Sequence, residues 1–272
     1  MRDIRKLYVN GRYGQIHLRF PISTGDTDEG ALPLICLHQS PKSGLEFERI
    51  MLEIAKTRQV FAPDYPGYGN SDAPPAEADA TIEMYAEEMW QVVDTLGLER
   101  VDLFGNHTGG KVAVEMARQR PDGVGSIVML SAAILTDEER EQFRNLFTPI
   151  PLDESGTRFK TMWDRIVEHR GPGMTLEMMS ESLRMNLMGG EAYEWGHVAA
   201  FNYGLPFEDA LKTLPHRITI LNPHDMLKET TRRAADIVIN GEVVECPNWA
   251  QGCMDAFPES VAQLVLEKLD AA

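Results

Sequence analysis

Short apolar runs alternate with amphipathic helical segments along most of the chain, and this alternation is what most constrains its fold. The runs at 32–37, 60–62, 101–104, 126–130 and 218–221 are typical of strands buried on both faces, as in a parallel sheet. The segments at 45–57, 79–97, 110–119 and 258–269 place apolar residues three or four positions apart, as amphipathic helices do. Strands that alternate with such helices predict right-handed βαβ crossovers and an α/β fold.

Two regions depart from the alternation. Near the start, residues 7–9 and 16–20 flank Asn10-Gly11-Arg12-Tyr13-Gly14, which predicts an opening hairpin because glycine permits the positive φ of a tight turn. Residues 132–215 show no strand pattern and are rich in Met, Glu and Arg at helical spacing. We therefore predict a core formed by residues 1–131 and 216–272, with a helical lid at 132–215 whose methionines and aromatics suit an adaptable apolar pocket.

Length, charge and cysteine content narrow the class of protein. The 272 residues suit one large α/β domain with an insertion. With 42 acidic against 26 basic residues, the net charge of −16 argues against nucleic acid or an anionic membrane as a partner. The sequence has no membrane-length apolar stretch and no apolar segment typical of a signal peptide, so we expect a cytoplasmic protein. The three cysteines are too few for a disulfide framework and are expected to be thiols.

The segment that most strongly indicates a catalytic site follows the run at 101–104. It reads Gly105-Asn106-His107-Thr108-Gly109 and leads into a helical pattern, which is the sequence form of a nucleophile elbow. In an elbow, small residues allow a strained turn to lift one side chain above the sheet. Two further segments follow earlier strands: Leu-His-Gln-Ser-Pro at 37–41 and Ala-Pro-Asp-Tyr-Pro-Gly-Tyr-Gly-Asn-Ser-Asp at 62–72.

In their order and spacing, these three segments resemble the α/β-hydrolase fold superfamily. They match its oxyanion loop after the third strand, its Asp-x-Pro-Gly-x-Gly-x-Ser turn and its elbow, and the likeness covers essentially the whole chain. The resemblance implies an α/β fold of the α/β-hydrolase type. Its central sheet is mostly parallel and flanked by helices, with a helical lid inserted before the late core strands.

The catalytic positions depart from the family pattern. The elbow of the family normally presents Ser, and sometimes Cys or Asp, whereas His107 stands here. The family acid matches Asp225, but Gln251 occupies the position of the family's general base, and no His follows His224. Because both the hydroxyl and the base that would activate it are absent, a serine-hydrolase mechanism does not follow.

Three interpretations remain open. In the first, His107 is itself the general base, with Asp225 or Gln251 holding one ring nitrogen. In the second, His38, His107, His224 and Asp225 hold a divalent metal, although their spacing is not that of a metal motif. In the third, the site is catalytically inactive and only binds a ligand.

The resemblance also predicts a binding site that depends on the backbone. The oxyanion-hole amides of the family match Ser40 and Thr108, and backbone donors survive a change of side chain. We add His38, Gln39 and Trp249 as candidate substrate-binding residues. The alternative for His38 is a structural role, in which its ring packs and forms hydrogen bonds beneath the loop.

We expect hydrolysis of an ester, lactone or C–C bond in a small, mostly apolar carbonyl compound, with no cofactor and no metal. A cofactor-free lyase or isomerase is the alternative enzyme, and a homodimer is an assembly that the sequence leaves open.

Overall fold

A computed structural model describes residues 3–22 and 30–271 of the chain, and eight strands in these ranges form one sheet. The strands are β1 (Ile4–Gly11), β2 (Gly14–Pro21), β3 (Leu34–Leu37), β4 (Val60–Pro63), β5 (Val101–Asn106), β6 (Val124–Leu130), β7 (Ile218–Pro223) and β8 (Gly241–Cys246). Their order is β1-β2-β4-β3-β5-β6-β7-β8; the first two strands pair antiparallel and β3 to β8 run parallel. The mostly parallel sheet expected from the sequence is confirmed.

The helices in the described ranges are α1 (Glu48–Ile54), α2 (Ile82–Thr95), α3 (Thr108–Gln119), α4 (Asp137–Leu146), α5 (Thr157–Glu168), α6 (Leu176–Met188), α7 (Trp195–Asn202), α8 (Gly204–Thr213), α9 (Lys228–Arg232), α10 (Cys253–Ala256) and α11 (Pro258–Asp270). Helices α2, α3 and α8 share one apolar cluster with the sheet, and α1, α10 and α11 share a second. Neighbouring strand residues alternate between the clusters: Ile35 and Leu103 belong to the first, Leu34 and Phe104 to the second. Both faces of these strands are therefore covered, which is why their sequences are continuously apolar.

The opening hairpin is confirmed as β1 and β2, which pair from Ile4 opposite Pro21 to Gly11 opposite Gly14. Of the two turn glycines, only Gly14 adopts a positive φ, at 137°. The last strand, β8, was not predicted. It lies at the sheet edge with mostly exposed or half-exposed residues, so it lacks the apolar run by which the other parallel strands were recognised.

Residues 132–215 contain the five helices α4 to α8 and, as expected, no strand. The last of these helices, α8, packs against α3 and contributes Phe207 and Leu211 to the first core cluster. This end of the predicted lid therefore also covers the sheet, and the lid boundary at residue 215 stays a prediction. The sequence could not separate the two roles, because helices of a lid and of a core layer show the same apolar period.

The cysteines in the structure, Cys36, Cys246 and Cys253, are free and buried. No helix in the two described ranges is long and apolar enough to cross a membrane.

Candidate active site

The predicted elbow is the tight turn between β5 and α3. His107 stands at its apex with φ 47° and ψ −105°, a conformation that a non-glycine residue rarely adopts. Glycine is required on both sides: a Cβ at Gly105 would lie 2.4 Å from the Gly109 carbonyl oxygen, and one at Gly109 would lie 1.9 Å from that of Leu37. The backbone amide of His107 donates to Leu130 O at 2.9 Å, which fixes the apex against the end of β6.

His107 contacts the predicted acid directly. Its Nε2 lies 3.1 Å from Asp225 Oδ2, although 118 positions separate the two residues in the sequence. Asp225 follows β7 and His107 follows β5, so both lie at the carboxyl edge of the parallel sheet. The side chain of Asp225 is only 4% exposed and that of His107 is 18% exposed, so the contact is largely shielded from water while the imidazole keeps some access to it.

Three donors hold the Asp225 carboxylate. Besides His107, the Ser131 hydroxyl donates to Oδ2 at 3.0 Å and the Leu227 amide donates to Oδ1 at 2.8 Å. Burial alone would raise the pKa of Asp225, but the hydrogen bond and charge of His107, with the other two donors, bring that pKa below its usual value. Asp225 is thus an ionised partner for the imidazole.

Ser131 is a member of the site that the sequence pattern did not indicate. This residue follows β6, is fully buried and adopts a φ of 64°. Its position after a predicted strand was a weak signal, because any residue at the carboxyl edge of a parallel sheet can face the site. Ser131 contacts Asp225 from a left-handed backbone conformation that serine rarely adopts.

The Asp225 contact determines which imidazole nitrogen is free. Since the ionised carboxylate accepts, Nε2 carries the proton when the His107 ring is neutral, and Nδ1 then has the free lone pair. Nδ1 makes no hydrogen bond with any residue that the structure describes, and the ring is partly open to solvent. The His107 ring is therefore held at Nε2 by a carboxylate, while Nδ1 is left without a partner among the described residues.

Both predicted oxyanion-hole amides are free of partners in the described part of the chain. Thr108 is the first residue of α3, where helix amides have no intrahelical acceptor, and the Ser40 amide likewise donates to no described residue. Leu37 in β3 pairs with Gly105 in β5, and each of these two amides comes three residues later. They therefore follow neighbouring strands in register.

His38 and Gln39 lie in the same loop but face inward. Both ring nitrogens of the fully buried His38 are engaged: Nδ1 with Gln39 O at 2.8 Å, and Nε2 as acceptor from the Tyr65 amide at 2.9 Å. Burial lowers the pKa of His38 to about 4, so the ring is neutral. This arrangement matches the packing interpretation of His38 and leaves neither ring nitrogen for a ligand or a metal. Gln39 directs its amide nitrogen to Glu46 rather than into the open site.

Gln251, Trp249 and His224 are not joined to the His107–Asp225 pair by hydrogen bonds. The Gln251 carbonyl accepts from the Gly171 amide at 3.0 Å, and its side chain bonds to no described residue. The half-buried Trp249 packs on the second core cluster, while its carbonyl accepts from the His224 amide at 2.7 Å. His224 itself is exposed, and in the described ranges no group of three His, Cys, Asp or Glu side chains is placed to hold a metal ion.

Helix α7, in the predicted lid, lies directly on the loop that carries Ser40. The amide of Gly196, in α7, donates to the Tyr68 hydroxyl at 2.7 Å, and a Cβ at Gly196 would lie 2.1 Å from Ser40 Oγ. The buried Ser40 hydroxyl makes no hydrogen bond of normal geometry with a described residue, although it lies beside that of Tyr68. Glycine at position 196 is what allows α7 to approach Ser40 this closely.

Similarity to known proteins agrees with this architecture. The sequence profile of the α/β hydrolase fold family matches residues 33–148. A 2-hydroxymuconate semialdehyde hydrolase of Pseudomonas sp. (strain CF600) is 34% identical over 116 residues, or 41% of each chain. A proline iminopeptidase of Heyndrickxia coagulans is 31% identical over 152 residues, which are 56% of this chain and 52% of the relative. The matches thus span about half the length of these relatives, or less.

A solved structure extends the likeness over the whole chain. The epoxide hydrolase VrEH1 from Vigna radiata superposes with a TM-score of 0.77 at 15% identity and covers 98% of both chains. At this identity the superposition concerns the fold, and it includes the strands that carry the elbow and the acid. The sheet order and this superposition show that the chain has the α/β-hydrolase fold, and the profile match over residues 33–148 agrees with it.

Proposed function

We propose that this protein is a hydrolase in which His107 is the general base and Asp225 orients it. The observation that carries the proposal is the 3.1 Å contact between His107 Nε2 and Asp225 Oδ2 at the strained elbow. A non-glycine residue in such a conformation costs about 1–3 kcal/mol, and strain of this kind concentrates at functional sites. Here the strain holds an imidazole with one free nitrogen above the sheet.

The proposed reaction uses water as the nucleophile. Nδ1 of His107 removes a proton from water as the water oxygen attacks the substrate carbonyl carbon. The backbone amides of Ser40 and Thr108 donate to the oxyanion that forms. The imidazolium then returns its proton to the leaving group as the bond from the carbonyl carbon breaks, so the elements of water are divided between the products. A positioned base of this kind contributes about 10²–10⁴-fold to the rate.

Asp225 has two tasks in this scheme. Its hydrogen bond keeps the proton on Nε2, so that Nδ1 is the basic nitrogen, and its charge stabilises the imidazolium. The depressed pKa of Asp225 supports the second task, because a carboxylate that stays ionised can balance a transient positive charge.

The proposed substrate is a small, mostly apolar carbonyl compound, cleaved at an ester, lactone or C–C bond. Helices α5 and α6 of the predicted lid carry the buried methionines Met162, Met179 and Met185, whose side chains can adapt to an apolar substrate. The relatives described above are named as hydrolases or peptidases, so bond cleavage by water is the chemistry that their names share. No cofactor is needed for the steps proposed.

A panel of esters, lactones and β-diketones incubated in H₂¹⁸O tests the proposal. We expect turnover that places ¹⁸O in the acid product, is lost in His107→Ala and is strongly reduced in Asp225→Asn. Exchange of a carbon-bound hydrogen with D₂O, without ¹⁸O incorporation, would instead support a lyase or isomerase that uses the same base. Ligand binding without either reaction would contradict the proposal and favour a ligand-binding protein.

A further inference from the structure

Two buried charged side chains lie beside the site, and the reaction proposed above uses neither. Lys42 is 6% exposed and Glu46 is 5% exposed, and neither forms an ion pair with a described residue. Lys42 Nζ instead donates to oxygens of α6 in the lid, including Ser182 O at 3.0 Å and Asn186 Oδ1 at 2.6 Å. Buried charges without ion-pair partners are costly to maintain, so their position beside the site requires an explanation.

The hydrogen bonds of Glu46 join the two halves of the candidate site. Oε1 accepts from the Gln39 amide at 2.9 Å, and Oε2 accepts from Gln39 Nε2 at 3.1 Å and from Asn106 Nδ2 at 3.3 Å. Gln39 directly precedes Ser40 in the oxyanion loop, and Asn106 directly precedes His107 in the elbow. One carboxylate therefore fixes the loop that carries one oxyanion-hole amide against the turn that carries the base.

Glu46 also acts on its surroundings through its charge. Burial raises the pKa of Glu46 to about 7, opposed by the hydrogen bonds from Gln39 and by the charges of Lys42 and His107. Around neutral pH the carboxyl group is thus partly ionised, and in that form it favours the protonated imidazole. The titratable groups that interact with the Glu46 charge come from the loop, the elbow, β3 and the segment after β4: Lys42, His107, Cys36 and Tyr65.

We propose that Glu46 is a second positioning carboxylate for His107, which braces the oxyanion loop against the elbow and, when ionised, stabilises the imidazolium. The direct contact of Asp225 sets the tautomer of His107, and Glu46 adds a longer-range electrostatic contribution. The catalytic consequence rests on the proposed function, whereas the electrostatic coupling between Glu46 and His107 is a property of the folded protein alone.

NMR titration of the His107 ring in Glu46→Gln tests the coupling without any substrate. Glutamine has nearly the same shape but no charge, so the midpoint of the His107 titration should fall relative to the unsubstituted protein. His107→Ala assigns the resonance. The matched control is Glu88→Gln, which removes a carboxylate that is also 5% exposed but accepts from the Arg12 amide of the opening hairpin. This control should leave the His107 midpoint in place.

The reciprocal measurement does not require the Glu46 variant to fold. With ¹³C-labelled glutamate, the Glu46 titration midpoint should rise in His107→Ala, because two coupled groups shift each other. Unmoved midpoints in both experiments would overturn the inference. If a substrate is found, Glu46→Gln should lower kcat about tenfold with KM within about threefold, and Glu88→Gln should change neither. Full activity in His107→Ala would overturn the proposed function while leaving the two midpoint shifts as they are.

Discussion

Replacement of Asp225 by Asn tests the proposed pair most directly, because the structure shows how the amide must fit. In the present protein Oδ2 accepts from both His107 Nε2 and the Ser131 hydroxyl, and Oδ1 accepts from the Leu227 amide. An asparagine can place its oxygen toward Leu227, which leaves its NH₂ group facing the other two donors. The hydroxyl of Ser131 can rotate to accept, but the imidazole can accept only by losing the proton on Nε2.

The neutral imidazole must then carry its proton on Nδ1, the nitrogen that the proposed reaction needs as a base. The wrong tautomer and the missing negative charge together should lower kcat by about 10³–10⁴-fold, which corresponds to about 4–5.5 kcal/mol of transition-state stabilisation. KM should change little, because neither the side chain of residue 225 nor Nε2 of His107 is expected to touch the substrate in the ground state. The loss of charge-assisted hydrogen bonds should also reduce the free energy of unfolding by about 1–3 kcal/mol.

The assay measures kcat and KM on the best substrate of the panel, together with thermal unfolding of each variant. The control is Asp102→Asn, which removes a carboxylate that is 5% exposed and bonded to Arg58 and Ser126, in β5 but away from the elbow. We expect this control to lose stability while kcat stays within about threefold. A kcat for Asp225→Asn above one third of the unsubstituted value, or an equal loss of kcat in the control, would refute the reasoning.

Three further predictions concern the elbow and the buried carboxylate. His107→Ala should lose turnover but keep its fold by circular dichroism, and serine-directed fluorophosphonate probes should label no site residue of the unsubstituted protein; a stoichiometric adduct on Ser40 would contradict this. Gly109→Ala should lower the free energy of unfolding, measured by chemical denaturation, by more than about 3 kcal/mol, because its Cβ would lie 1.9 Å from a main-chain oxygen. Gly97→Ala is the control: no atom lies within 4 Å of its Cβ and its φ is 69°, so it should cost about 1–2 kcal/mol. Equal costs at the two glycines would count against the close approach. The pKa of Glu46 is raised from 4.5 to about 7 in the folded state, so its contribution to stability is complete below pH 4.5 and is lost as the pH rises through 7. The Glu46→Gln variant should therefore lose less stability than the unsubstituted protein between pH 4.5 and 7. A parallel decline in both proteins would show that Glu46 does not titrate in this range.

Much of the fold was predictable because its determinants are local. Strands covered on both faces must be continuously apolar, and the helices between them must carry an apolar stripe, so the parallel core could be read from the alternation alone. The elbow was also readable from its glycine spacing, although only Gly105 is required by a contact within the turn, whereas Gly109 is required by the approach of Leu37 in the neighbouring strand. The exposed edge strand β8 was missed, because its residues lack the continuous apolar run that marks the buried strands.

The tertiary structure alone decided how the polar residues meet. The sequence offered both Asp225 and Gln251 as partners of His107, and only the packing of β7 beside β6 and β5 brings the carboxylate to 3.1 Å while the glutamine side chain stays unbonded. Ser131 and Glu46 were not recognised, because a serine after a strand and a glutamate in a helical segment are residue types that usually lie at the surface. Their roles arise from burial and from partners far along the chain, since a hydrogen bond depends on where two groups lie in space, and local sequence patterns fix only the geometry of neighbours.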